Sequence, residues 1–133
     1  MISNFLLHEK EFNKLLNMIK HDKGLFRVDD DWTDPKNLNS IGITNTRIEE
    51  YRKIFNELAI PRGFSRNIDF LFVEFISTTQ GLAVSGSSKS YIWLKDPPNK
   101  LVDNIDNYKP ENPDSYRVYR HIKENWYLFY EAD

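Results

Sequence analysis

Three aromatic, β-branched runs in the last third of the chain constrain its fold most. Tyr91-Ile92-Trp93-Leu94, Tyr116-Arg117-Val118-Tyr119 and Trp126-Tyr127-Leu128-Phe129-Tyr130 each have the composition of a strand on a half-buried sheet. Lys123-Glu124-Asn125 divides the last two, so residues 116–122 and 126–132 are expected to pair as a hairpin. Upstream, residues 68–76 change to a period of two, with Phe70 and Phe72 on one face and Leu71, Val73 and Phe75 on the other. Glu74 interrupts this run. A strand apolar on both faces belongs in the middle of a sheet. Leu82-Ala83-Val84, set between two turn-forming stretches, reads as a short strand, and residues 89–95 as the next.

The first half of the chain has the helical period instead. Phe12, Leu15, Leu16 and Ile19 form one face of a helix expected over residues 5–21, with Gly24 placed to end it in the left-handed conformation. Thr46 and Glu49 form a capping box for a second helix. Its stripe is Ile48, Tyr51, Phe55 and Leu58, flanked by Ile54, and Pro61 and Gly63 follow it. Residues 25–28 suit a short extended segment. Leu101, Val102 and Ile105 suit one helical turn or a covering loop. The expected architecture is a single α+β domain over residues 1–133, with two N-terminal helices packed on a mainly antiparallel sheet of four or five strands.

Composition narrows the chemistry. The absence of cysteine excludes a disulfide scaffold, a thiolate nucleophile and a cysteine-ligated zinc site. The N-terminus lacks the pattern of a secretory signal and no apolar run is long enough to span a bilayer, so a cytoplasmic protein with no membrane partner is expected. The net charge of −2 gives no reason to expect direct nucleic-acid binding. The charge is uneven, however. Residues 96–115 carry Asp96, Asp103, Asp106, Glu111 and Asp114 against Lys100 and Lys109, and an earlier loop carries Asp29, Asp30, Asp31 and Asp34. Such loops are either simply solvated or complementary to a basic partner.

The candidate reactive groups are few. Gly81-x-x-x-x-Gly86-Ser87-Ser88-Lys89-Ser90 resembles a phosphate loop, but two serines separate Gly86 from Lys89 and a strand follows, so a turn is expected. The aspartates at 29–34 lack the Gly and terminal Glu of a calcium loop, and no metal or other cofactor is expected there. Strand alternation puts Arg117, Tyr119 and His121 on one face. With Glu74 as a partner, His121 could act in a general acid–base pair, and Arg117 or Arg120 could hold phosphate, as in a small nuclease or RNA-processing enzyme. Trp32 either folds onto the core, the favoured reading because burial gains contact area, or anchors a partner.

The run Gly81-Leu82-Ala83-Val84-Ser85-Gly86-Ser87-Ser88-Lys89-Ser90-Tyr91 and the ending Asn125-Trp126-Tyr127-Leu128-Phe129-Tyr130-Glu131 look like parts of small bacterial proteins. In overall form the chain resembles the immunity proteins of bacterial toxin–immunity pairs, including those of contact-dependent inhibition. That resemblance implies a small non-enzymatic domain that neutralises a cognate protein toxin by covering or distorting its active site. Many such toxins are nucleases with basic clefts. Asp29, Asp30, Asp31, Trp32, Asp34, Asp103, Asp106 and Glu111 are then the expected partner-binding residues. The alternatives are the His121–Glu74 enzyme and an interaction module serving some other partner.

Overall fold

A computed structural model describes residues 1–78, 88–99, 101–102 and 116–132. Within them the expected α+β architecture holds, but the antiparallel sheet has seven strands. Helices α1 (Ile2–Leu7) and α2 (Glu9–His21) lead into β1 (Arg27–Val28) and β2 (Thr33–Asp34). A 3-10 turn (Leu38–Ile41) and α3 (Asn45–Leu58) follow. The chain then runs through β3 (Phe64–Arg66), β4 (Phe72–Thr78), β5 (Ser88–Leu94), β6 (Tyr116–Lys123) and β7 (Trp126–Ala132). The strand order is β2-β1-β3-β4-β5-β7-β6. The expected strand over residues 82–84 and the turn at Gly86 lie outside the described residues, as do Ile105, Asp103, Asp106 and Glu111.

The two helical stripes are buried as their spacing requires. Phe12, Leu15, Leu16 and Ile19 on α2 and Ile48, Tyr51, Ile54, Phe55 and Leu58 on α3 all enter one core. They meet the sheet face carrying Val73, Phe75, Tyr91, Trp126 and Leu128. The centre is aromatic. Phe12 lies 4.7 Å from Tyr91, Phe5 lies 5.1 Å from Trp126, and Phe12 meets Phe75 edge-on at 6.1 Å. Such tilted and edge-on pairs stabilise beyond the area they bury.

Several local expectations are corrected. The first helix is two, broken at His8, whose backbone leaves the helical region at φ −118° and ψ 25° and whose ring Nδ1 lies 3.0 Å from Asn4 Oδ1. Asn4 Nδ2 meanwhile donates to Leu58 O and to the Tyr91 hydroxyl, both at 3.0 Å, pinning α1 to α3 and β5. The helix ends at Asp22, and Gly24 has no left-handed role. A Cβ at Gly24 would sit 2.6 Å from Ile41 Cγ2, so a larger residue would force the Ile41 side chain of the 3-10 turn to shift. Asp22 accepts from Tyr51 Oη at 2.6 Å and from Arg47 Nε at 2.8 Å, joining α2 to α3.

The α3 cap is Thr44, whose Oγ1 accepts from Arg47 N at 3.1 Å. Thr46 therefore lies inside the first turn and makes no capping box with Glu49. The strand expected from residue 68 begins at Phe72. Asn67 Oδ1 takes the amides of Leu71 and Phe72 and folds the intervening residues into a turn. From Phe72 onward, apolar residues do occupy both faces. Ile92, Tyr127 and Phe129 form a second buried cluster on the side away from the helices, with Phe72, Leu94 and Tyr119 against it. The last hairpin pairs as expected, except that β6 extends to Lys123, which faces Trp126.

No helix among the described residues is long and apolar enough to cross a membrane.

Candidate functional site: the acidic hairpin at the sheet edge

The first acidic loop is a tight β-hairpin. Asp29 N donates to Trp32 O at 2.9 Å, so Asp30 and Asp31 form its tip between β1 and β2. The four residues at 29–32 do not share one fate. Asp29 is fully buried. Its carboxylate accepts from Arg27 Nη2 at 2.7 Å and from Arg62 Nε and Nη2 at 3.2 Å, and its carbonyl accepts from Arg52 Nε at 3.0 Å. Burial alone would push this carboxyl up. The hydrogen bonds from Arg62, Arg27 and the Asp30 amide, with the Arg27 charge, outweigh burial and hold it at about 2. Asp29 is therefore a structural counter-ion, occupied from inside the protein.

Asp30 and Asp31 are exposed, and among the described residues neither forms an ion pair. The hydrogen-bonding approach of the Asp29 carboxylate, and after it Asp31, hold the Asp30 carboxyl above its usual range. Oxygens of all three carboxylates lie within 4.8 Å of one another. The two arginines already neutralise Asp29, so the tip presents two crowded, solvated negative charges rather than the alternating donors of a calcium loop.

Trp32 is 48% exposed, against the expectation that it folds onto the core. The Arg27 guanidinium stacks 5.2 Å from its ring, which holds the indole outward while Arg27 serves Asp29. A shallow depression of about 500 Å³ runs from Asp31 and Trp32 past Lys36 and Leu38 to Ile48 and Arg52. Asp34 is exposed beside it. The tip thus combines an amphipathic ring on a fixed turn with exposed acids, an arrangement that can accept cations and bury an apolar group of a partner.

Arg27, Arg52 and Arg62 are the parts that sequence reasoning missed. Arg62 lies 33 residues from the carboxylate it serves, and no local spacing signals the pairing. Arg27, two residues from Asp29 on a strand, shares its side and was within reach of a period-two reading.

The His121–Glu74 pair does not assemble. Glu74 faces Ile92, Ile92 faces Tyr127, and Tyr127 faces His121. The two residues share a row and a face but stand three strands apart, roughly 14 Å at the usual strand spacing. His121 Nε2 lies 2.8 Å from Glu124 O, and Arg117 Nε is 2.5 Å from Glu131. Arg120 faces Leu128, on the opposite side of the sheet.

Glu74 instead lines a cleft of about 230 Å³ with Phe72, Leu94, Arg117, Tyr119 and Glu131, and accepts from Ser90 Oγ at 2.6 Å. Burial pushes its carboxyl above the ordinary range, partly offset by the Ser90 hydrogen bond. A raised carboxyl pKa means that stability falls as pH rises past the unfolded value. Glu74→Gln keeps an acceptor for Ser90 and removes the ionisation. Urea melts should therefore find it more stable at pH 7, with the gap closing near the pKa of a free glutamate.

In comparisons with protein-family models, with curated proteins and with solved structures, the chain finds no match.

Proposed function

We propose that the protein is a non-enzymatic binding protein of the immunity type, which neutralises a cognate bacterial toxin in the cytoplasm by covering its active site. The observation that carries this reading is the hairpin tip, where a half-exposed Trp32 stands beside two exposed carboxylates that form no ion pair among the described residues, on a turn locked by Asp29, Arg27 and Arg62. A pre-formed tip of this kind loses little entropy on docking, and its charge speeds encounter with a basic cleft. The separation of His121 from Glu74 removes the geometric basis of the enzyme alternative. Asp34 extends the acidic surface beyond the turn, and Asp103, Asp106 and Glu111 are proposed as its continuation.

Two substitutions separate charge from anchor. Asp30→Asn with Asp31→Asn should slow association several-fold and flatten its salt dependence, because rim charges act mainly on the on-rate. Trp32→Ala should instead raise the dissociation rate, weakening binding by roughly tenfold or more. Surface plasmon resonance at two salt concentrations checks both, against the polypeptide encoded beside this gene. Unchanged rates in both variants would remove the hairpin from the interface. Stability should stay within about 0.5 kcal/mol in the double Asn variant, whose side chains are exposed, and fall by roughly 1 kcal/mol in Trp32→Ala, which loses the Arg27 contact.

A further inference from the structure

A second surface has the opposite charge. Lys20, Lys23 and Arg66 line a cleft of about 260 Å³ with Ile19, Ile68 and Phe70, and Asp69 is its carboxylate. None of the three cations forms an ion pair among the described residues. Three positive charges therefore face one negative charge, on a chain whose net charge is −2.

Arg66 is the unusual member. It is 7% exposed, yet its guanidinium meets only carbonyls and rings. Nε donates to Leu25 O at 2.9 Å, Nη1 to Asn67 O at 3.0 Å, and Nη2 to Lys23 O. Phe26 lies 4.6 Å and Phe70 5.6 Å from its carbon centre. Each of its three nitrogens thus donates to a neutral carbonyl, and its charge has no carboxylate partner among the described residues. A buried charge ordinarily has a counter-ion.

The rim is apolar and its backbone is unusual. Ile68 is 77% and Leu71 45% exposed, on the same turn. Between them Phe70 has φ of +56°, a conformation that aromatic residues rarely adopt. Its ring is held 5.4 Å from Trp93, and the Lys20 ammonium lies over both rings. Non-glycine residues in this region tend to collect at ligand clamps.

We propose that this cleft docks an acidic, apolar segment of a protein partner. An Asp or Glu carboxylate enters above Arg66 between Lys20 and Lys23, and a neighbouring apolar side chain packs on Ile68 and Phe70. Charge complementarity selects the carboxylate. The bare Ile68 beside Phe70 selects a protein over a nucleic acid, whose backbone would need an extended basic track in place of three cations and an aspartate. The site is independent of the acidic hairpin and of the toxin reading.

The test uses the full chain and NMR titration at low salt. The probe is an acetylated Leu-Glu-Leu amide, with the Leu-Gln-Leu amide, inorganic phosphate and oligothymidylate as comparison arms. Arg66 holds three carbonyls, so the variants are Lys20→Gln with Lys23→Gln, and Ile68→Ser, all at exposed positions. The expected result is saturable, millimolar movement of the amides of residues 66–71 and of the Trp93 indole with the Glu peptide. The Gln peptide should bind several-fold more weakly, and each variant should weaken the Glu peptide several-fold with its spectrum otherwise intact. No movement, equal movement with the Gln peptide, or tighter binding of phosphate or oligothymidylate than of the Glu peptide would overturn the proposal.

Discussion

Asp29→Ala should destabilise the protein by about 3 kcal/mol, because removing one partner of a buried ion pair strands the other. Arg27 would lose its 2.7 Å partner in a site where its side chain is 15% exposed, and Arg62 would lose its carboxylate at 3.2 Å. Asp30→Asn and Asp31→Asn, on the same turn, should each change stability by no more than about 0.5 kcal/mol. The contrast separates an internal counter-ion from two surface acids that look identical in sequence. The pH dependence follows the same logic. The Asp29 carboxyl falls from 3.8 in the unfolded chain to about 2 in the folded one. Its contribution, roughly 2 kcal/mol, is fully present above the unfolded value and is lost as pH falls through the folded value. Urea melts between pH 7 and pH 2 should show that acid loss in the wild type and a shallower one in Asp29→Asn. Equal acid slopes would contradict the ion-pair account.

Gly63→Ala should cost at least about 3 kcal/mol, the largest effect expected from adding a single methyl group. Gly63 has φ of +64°, and a Cβ there would overlap the Val28 carbonyl oxygen while touching the Phe55 ring at 3.1 Å. The obstacle is backbone, so it yields only if β1 moves away from β3, where Val28 faces Phe64. The acidic hairpin hangs on that pairing, and Trp32 emission should become more solvent-exposed in the variant. Gly42→Ala is the control. Its φ is +70° but nothing lies within 4 Å of the added carbon, so it should cost only the left-handed penalty of about 1 kcal/mol. Equal losses in the two variants would show that backbone conformation, not the strand contact, sets the cost.

The features legible in the sequence were those carried by repetition. Four apolar residues on α2 and five on α3 share a stripe, and all nine are buried. The aromatic runs pair as β5, β7 and β6. The features that escaped it depend on single side chains or on distant partners. Strand β3 is three residues long and contains Ser65 and Arg66, so no period could mark it. Glu49 pointed to Thr46 as the cap, whereas the extended backbone at Thr44 makes that residue the cap without an acidic partner three residues on. Asn67 redirects an apolar run into a turn with one carboxamide oxygen. Asp29 differs from Asp30 and Asp31 only because Arg62, far along the chain, reaches it. Trp32 stays half outside, with the Arg27 guanidinium against its ring, on a two-strand edge hairpin that no spacing placed relative to the core. Charge composition marked the run Asp29 to Asp34 as acidic, whereas the division between buried counter-ion and exposed acid needed the tertiary structure.

The most direct test of the binding reading is a comparative capture from native lysate. Tagged wild type and a variant combining Asp30→Asn, Asp31→Asn and Trp32→Ala would be matched for fold by circular dichroism. The account predicts one stoichiometric polypeptide on the wild type that is toxic when expressed alone and harmless with the wild-type protein, and that the variant neither retains nor neutralises. Equal retention and neutralisation by the variant, or a captured polypeptide without toxicity, would contradict it.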